Sequence, residues 1–257
     1  MARTFNVAPD SLNTLQLRAT QPHPAFRVGE GCFASGSALP SPAIAGPLRQ
    51  LFEDLDSHPN HKTSVFAHTD ASGGNKANKA LSDLRGKALV AVMTDDPALF
   101  IAVGEAAAWD VVDYQLMLRG LYCNPGAMDG VLGGLTESAI QTFQRQYNRG
   151  LFHKEGRAPV LSNIEVTGAL DPDTRHALCD GYVAEHTVQL SAGRLIGPRF
   201  SGCSEFNPIF DRAPDNRRVS LGLYSSHQPA SSEFPCTEGD SGPCPLDNEG
   251  PPRCRFY

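Results

Sequence analysis

The chain has no lysine or arginine run: its 22 basic residues are scattered among 28 acidic ones, for a net charge of −6. That balance gives no electrostatic footprint for a phosphate backbone, so DNA and RNA are not expected as partners. Long apolar runs are missing too. The longest mostly apolar stretch, Ala98 to Trp109, contains Glu105 and is far too short to span a bilayer. The opening MARTFNVAPDSLNTLQLRA has no apolar core, so a secretory signal peptide is not expected. Gly-x-Ser-x-Gly and His-Glu zinc patterns are absent, and Ser201 to Ser204 does not supply the former. Glycosidase carboxylate pairs are distant in sequence, and nothing here singles one out. His58 and His61 flank Pro59-Asn60 and read as a solvated loop rather than as metal ligands. No catalytic residue, metal or cofactor is expected.

What is plentiful is glycine and proline, 24 and 20 residues. Seven cysteines stand at 32, 123, 179, 203, 236, 244 and 254, an odd number that cannot pair completely within one chain. Cys123 and Cys179 fall in helical patterns and read as small buried hydrophobes. Cys236, Cys244 and Cys254 lie in a tail with little apolar material to bury, where disulfides are a means of holding the chain. Their spacings of seven and nine intervening residues lack the close Cys-x₂-Cys pairs of common zinc modules.

Four segments follow from pattern and composition. Residues 1–26 are polar with scattered prolines and read as an N-terminal arm. FRVGEGCFASGSALP suggests a strand and a Gly/Ser turn, and Ala43, Leu48, Leu51, Phe52 and Leu55 form a helical stripe stopped by His58-Pro59-Asn60. KTSVFAHTD reads as a short strand, and NKANKALSDLRGKALVAVMT, after Gly73-Gly74, as a second helix. From Trp109 the style changes to three short helices, around Val112–Leu121, Ala139–Tyr147 and Asp171–Val183. Thr136 is a fair N-cap for the second, and Asp171-Pro172 opens the third. RLIGPRFSG and VSLGLY then return to strands. The segments expected are the arm, a discontinuous α/β unit at 27–97 and 190–225, a three-helix unit at 106–185, and a Cys/Pro/Gly-rich tail at 226–257.

Three motifs in order carry a resemblance: Phe33 with Gly36-Ser37-Ala38-Leu39; His68-Thr69-Asp70, Gly73, Asn78, Leu81-Ser82 and Arg85; and Gly202-x-x-Glu205-x-Asn207-Pro208 followed by Asn216-Arg217-Arg218-Val219. Together they resemble the OmpA-like C-terminal peptidoglycan-binding domain. About 100 residues interrupt that pattern, and residues 109 to 183 resemble a peptidoglycan-binding-like three-helix module. Its carriers are Gln115, Leu118, Leu121, Pro125-Gly126-x-x-Asp129-Gly130, Gly133, Thr136, Ala139, Phe143-Gln144, Val166-Thr167-Gly168 and Asp171. The resemblance implies an α+β fold: an OmpA-like βαβαβ layer of helices on a small mixed sheet, an inserted all-α domain and an irregular tail.

It also implies a function: non-catalytic binding of bacterial peptidoglycan. Diaminopimelate in the stem peptide ends in an ammonium and a carboxylate one carbon apart. By resemblance Asp70 accepts from the ammonium and Arg85 grips the carboxylate in a bidentate fork. Asn78, seven residues before Arg85, shares its helix face, and Arg217 and Arg218 support the site. Some relatives carry an acidic residue just after the phenylalanine; this chain has Ala34 and Ser35 there. The expected place of action is the cell envelope, with the chain carried on a particle such as a phage tail or contractile injection device. Its arm and tail would attach to other subunits. The alternatives are a structural particle protein that keeps the fold without wall binding, and a peptidoglycan hydrolase.

Overall fold

A computed structural model describes residues 23–28, 32–205 and 217–224. The first element is strand β1 (His23–Val28). A 3-10 turn at Pro42–Ile44 runs into helix α1 (Ala45–Ser57), followed by β2 (Lys62–Ala67) and α2 (Asn75–Thr94). Four more helices come next: α3 (Pro97–Ala107), α4 (Val111–Gly120), α5 (Gly134–Asn148) and α6 (Pro172–His186). Strands β3 (Leu195–Gly202) and β4 (Val219–Tyr224) close the described chain. The class is α+β, as expected.

The sheet is mixed, in the order β1-β4-β2-β3. β2 runs parallel to β3 and antiparallel to β4, and β1 adds antiparallel to β4 at the edge. β2 is central, so both its faces are covered, and Thr63 to Ala67 are all buried. That explains why KTSVFA is a near-continuous apolar and β-branched run rather than an alternating one. α1 buries Leu48, Leu51 and Leu55 of the stripe read from the sequence, whereas Ala43, in the preceding 3-10 turn, and Phe52 are exposed. β1 begins at His23, so residues 23–26 of the segment expected as an arm belong to the sheet.

Helix α3 is the element the sequence reading did not anticipate. Asp95 ends α2 in the left-handed region (φ 56°). Asp96 caps α3 by accepting from the Leu99 N–H, and Pro97 occupies its first turn. α3 packs against α2 on one side and α6 on the other, so it joins the α/β unit to the three-helix unit. One hydrophobic core runs through both: Leu51, Val65, Leu89, Phe100, Trp109, Leu118, Phe143 and Tyr182 belong to it. Phe100 of α3 stacks on Tyr182 of α6 at 5.8 Å, and the Tyr182 hydroxyl donates to the Pro40 carbonyl at 2.6 Å. Ser37 Oγ donates to Asp113 Oδ1 at 2.7 Å, a second tie.

The joint depends on one close approach. A Cβ on Gly104 would stand 2.5 Å from Trp109 Cε3, so this α3 position admits no side chain unless the indole moves. Gly104→Ala is expected to destabilise the chain by about 1–3 kcal/mol through overpacking, measured as a lowered urea midpoint. A Gly46→Ala control, with open space around its Cβ position, is expected to be nearly neutral.

Cys32, Cys123 and Cys179 are buried thiols among the described residues. Burial pushes Cys32 and Cys123 up to about 11, consistent with inert packing residues. The disulfide expectation falls on Cys236, Cys244 and Cys254, which lie outside the described residues.

Candidate functional site

The site begins where β2 ends. His68, Thr69 and Asp70 leave the sheet, and Gly73 turns the chain at φ 102° so that α2 can start at Asn75. The His68 N–H is held by the Arg218 carbonyl at 2.8 Å, and the Thr69 N–H by the Ser204 carbonyl at 2.9 Å. The segment before α2 is therefore pinned by the two segments flanking β4 and β3.

Asp70 is 7% exposed. Its Oδ1 accepts from the Ser72 N–H at 3.0 Å, and its Oδ2 lies 2.8 Å from Arg217 Nε in an ion pair. Arg217 keeps 24% of its side chain exposed against 10% for Asp70, so the pair opens to solvent on the arginine side. Asn78 donates to the Asp70 carbonyl at 3.3 Å and to Glu205 Oε2 at 2.6 Å. Glu205, half-buried, thus joins the cluster. The sequence reading used it as a motif marker without giving it a role.

Arg85 stands behind this pair and is 1% exposed. Nε donates to the Ser37 carbonyl at 3.0 Å, Nη1 to the His68 carbonyl at 3.1 Å and Nη2 to the Ala34 carbonyl at 3.0 Å. Its guanidinium also lies 5.1 Å from the Phe33 ring centroid. These bonds use three of five N–H groups, leaving one on each terminal nitrogen. Burial first, then the neighbouring Arg217 charge, pulls the Arg85 guanidinium down to about 10, while Asp70 opposes the shift. Arg85 therefore ties the 33–40 loop to the end of β2 and supplies positive potential behind Asp70. Ala34 and Ser35 are exposed on that loop, and the Ala34 carbonyl is one of the three acceptors. Arg218 is 1% exposed beside the site. Asn207, Pro208 and Asn216 lie outside the described residues.

Below this cluster, Lys79 Nζ bonds Asp83 Oδ1 at 2.9 Å and the Gly202 carbonyl at 2.8 Å, with both side chains nearly inaccessible. The Gly202 N–H returns a bond to Asp83 Oδ1 at 2.9 Å. A Cβ on Gly202 would stand 2.5 Å from the Asp83 backbone nitrogen, so glycine sets how closely β3 can approach α2.

In the three-helix unit the motif residues turn inward. Gln115 of α4 donates to Thr136 Oγ1 at 3.1 Å, and its Oε1 accepts from the Gly130 N–H at 3.0 Å. Gln144 of α5 repeats the arrangement, donating to Thr174 Oγ1 at 2.9 Å and accepting from the Gly168 N–H at 2.9 Å. Each brace fastens a Gly-containing loop to the start of the next helix. The sequence carries the matching signal, Gly-x-Leu-x₃-Thr-x₂-Ala-[Ile/Leu], at Gly130 to Ile140 and again at Gly168 to Leu178. The longer 151–165 loop is fixed by Asp180, which accepts from the Tyr147 hydroxyl at 2.6 Å and the Val160 N–H at 3.0 Å.

Between the N-termini of α4 and α6 and the side of α3 lie two adjoining hollows of about 240 and 430 Å³. Trp109, Tyr114 and Arg175 line both. Arg175 lies 5.6 Å from the Tyr114 ring centroid while its Nε donates to the Leu170 carbonyl at 2.8 Å. An aromatic wall with a fixed cation at its edge suits a ligand that combines an apolar face with an anionic or carbonyl group.

Comparison with known proteins bears on this unit. Residues 109–149 match the sequence model of the family described as "Putative peptidoglycan binding domain". The match covers Trp109, α4 with Gln115, the 126–133 turn and α5 with Gln144. A search of curated proteins finds no match to the chain.

Proposed function

We propose that this chain is a non-catalytic peptidoglycan-binding protein of the bacterial cell envelope, with wall-directed surfaces on both its units. The family match over residues 109–149 carries this reading. Supporting it, the remaining unit has β, α, β, α, β, β order around the interrupting helices, and it places Asp70, Asn78, Arg85 and Arg217 in one cluster. That arrangement suits an OmpA-like domain with an inserted module.

The cluster divides the labour of a zwitterion clamp. Asp70 offers the anion for the ammonium of diaminopimelate. Arg217, already 2.8 Å from Asp70 and partly exposed, offers a guanidinium that can swing from Asp70 to the ligand's carboxylate. Arg85 shapes the pocket through the 33–40 loop and holds the positive potential behind it. Asn78 and Glu205 fix the Asp70 backbone and rim. With two surfaces on one chain, avidity favours anchoring over turnover if both reach the mesh together. The proposed setting is a larger assembly, such as a phage tail or contractile injection particle, held to the wall by this chain.

Cosedimentation with purified sacculi tests the reading. Asp70→Asn and Arg217→Ala are expected to lower affinity roughly tenfold or more, since each removes a charge-assisted bond worth about 1.5–3 kcal/mol. Equal sedimentation of folded wild type and both variants would rule out this cluster as the wall contact. Clearing of a sacculus suspension by the purified chain would replace binding with hydrolysis. A second reading, a structural particle protein that keeps the fold without wall binding, is favoured by one observation: three Arg85 donors are committed to backbone carbonyls. No sedimentation by any form would favour that reading.

A further inference from the structure

The far end of β2 carries a separate cluster. Asp54 and His58 are one helical turn apart at the end of α1 and so share a face. The helix stops at Ser57, and the His61 N–H closes a turn onto the His58 carbonyl at 2.8 Å. That turn folds His61 back over His58, with ring centroids 4.6 Å apart and planes within 8°. One ligand atom from each of Asp54, His58 and His61 lies within 4.8 Å of the other two. The sequence spacing alone pointed to a solvated loop. It did not bring Asp54 into the set.

We infer that Asp54, His58 and His61 form a binding site for a divalent transition-metal ion of the zinc class. Three features beyond proximity support it. His61 Nδ1 is shielded from solvent and has no hydrogen-bond partner. His58 Nδ1 sits 2.9 Å from the Asp54 carbonyl; when that nitrogen carries the proton, the bond sets the tautomer and leaves Nε2 its lone pair. The backbone is fixed from outside the turn, because Arg194 Nη2 donates to the Leu55 and His58 carbonyls, the latter at 3.0 Å. β2 starts at Lys62 and holds the residue after His61.

The donor set selects the metal. Two imidazoles and one carboxylate suit Zn²⁺, Co²⁺, Ni²⁺ and Cu²⁺, and disfavour Mg²⁺ and Ca²⁺, which want oxygen. Zinc–ligand bonds of about 2.0–2.2 Å place tetrahedral donors roughly 3.4 Å apart. The side chains must therefore close from within 4.8 Å, and the two imidazoles must turn out of their parallel stack to aim at one ion. The Asp54 and His58 side chains are 32% and 51% exposed, which leaves them room to rotate. Three protein ligands leave a fourth position for water or an outside donor. The site lies roughly 20 Å of strand away from Asp70, at the opposite end of β2, so its occupancy is separable from wall binding.

Titration of the tag-free full-length chain with Zn²⁺, followed by calorimetry, and with Co²⁺, followed by absorption, tests the site. The expected result is one saturable equivalent, with a visible Co²⁺ spectrum and no thiolate charge-transfer band. Affinity should fall at least about tenfold in Asp54→Ala and His61→Ala, Mg²⁺ should not compete, and sacculus binding should be unchanged. Metal affinity unchanged in His61→Ala would place the ion elsewhere, and a thiolate band would assign it to the cysteines; either result would overturn the inference. So would no binding by the wild-type chain.

Discussion

Arg85→Ala is expected to destabilise the folded chain by about 3–5 kcal/mol, the range for removing one partner of a buried charged network. The Ser37 and His68 carbonyls lose their Arg85 donor, the latter in a fully buried bond, and the Ala34 carbonyl keeps only the Ser37 N–H at 3.3 Å. Each buried acceptor left without a partner costs about 1–3 kcal/mol. Arg85→Lys recovers little, because one ammonium cannot span three carbonyls held by a planar fork. Asp70→Ala loses the Ser72 bond, an ion pair with a partly exposed Arg217 and the anion that faces Arg85, and should cost about 1–2 kcal/mol. Urea unfolding separates the cases: a midpoint for Arg85→Ala no lower than that for Asp70→Ala would refute the staple. The consequence for function is practical. Loss of wall binding in Arg85→Ala would report an unfolded loop, so Asp70 and Arg217 are the positions that probe contact.

Arg85 also shows where the sequence stops being informative. Its place in the spacing His68-Thr69-Asp70…Asn78…Arg85 is what the resemblance rests on, and the structure does bring these residues together. Its three acceptors are backbone carbonyls, which have no residue signature, so the internal bonds could not be read from spacing. The Asn78–Glu205 pair spans 127 positions and depends on β3 returning beside β2. Local punctuation was more legible, although the cap read at Thr136 is not one: α5 starts at Gly134 behind Gly133, and Thr136 lies inside its first turn. Gly73-Gly74 and Asp95-Asp96-Pro97 bound α2, and KTSVFA and VSLGLY are strands as read. Helix α3 escaped because PALFIAVGEAA is apolar around much of its circumference, so no single stripe announces it. Its partners, α2 and α6, are supplied by tertiary packing. The paired glutamine braces were legible in principle, as a short repeat whose copies lie 38 residues apart at Gly130 and Gly168.

Acid should loosen the chain at the joint between its two units, through His186 in the last turn of α6. His186 Nε2 is shielded and has no hydrogen-bond partner, and the ring meets Tyr182 edge-on at 4.4 Å. A Cβ on Gly120 would stand 3.1 Å from that nitrogen and 3.1 Å from Pro42 Cγ, so α4, α6 and the segment before α1 converge on the ring. Burial pulls the His186 imidazole down to about 4 from its usual 6.5. Between those values the unfolded chain takes up a proton that the folded chain refuses, so stability falls as pH drops. The decline begins near pH 6.5 and levels off below about 4. At ~1.4 kcal/mol per pH unit it amounts to about 3 kcal/mol. Carboxylates titrate in the same region but do so in every variant, so the informative quantity is the difference between wild type and His186→Leu across urea unfolding curves at pH 4 to 8. The leucine chain should show a shallower decline by about that amount, whatever its stability at neutral pH. Parallel curves would place the acid response elsewhere and leave His186 a packing residue. The location gives the effect its direction: Tyr182 bonds the Pro40 carbonyl one turn before His186, so a proton entering here opposes the contact that holds the three-helix unit against the 33–42 loop. Arg85 clasps that same loop from the other side, so under the proposed function wall binding at Asp70 should weaken over the same pH interval in wild type and less in His186→Leu.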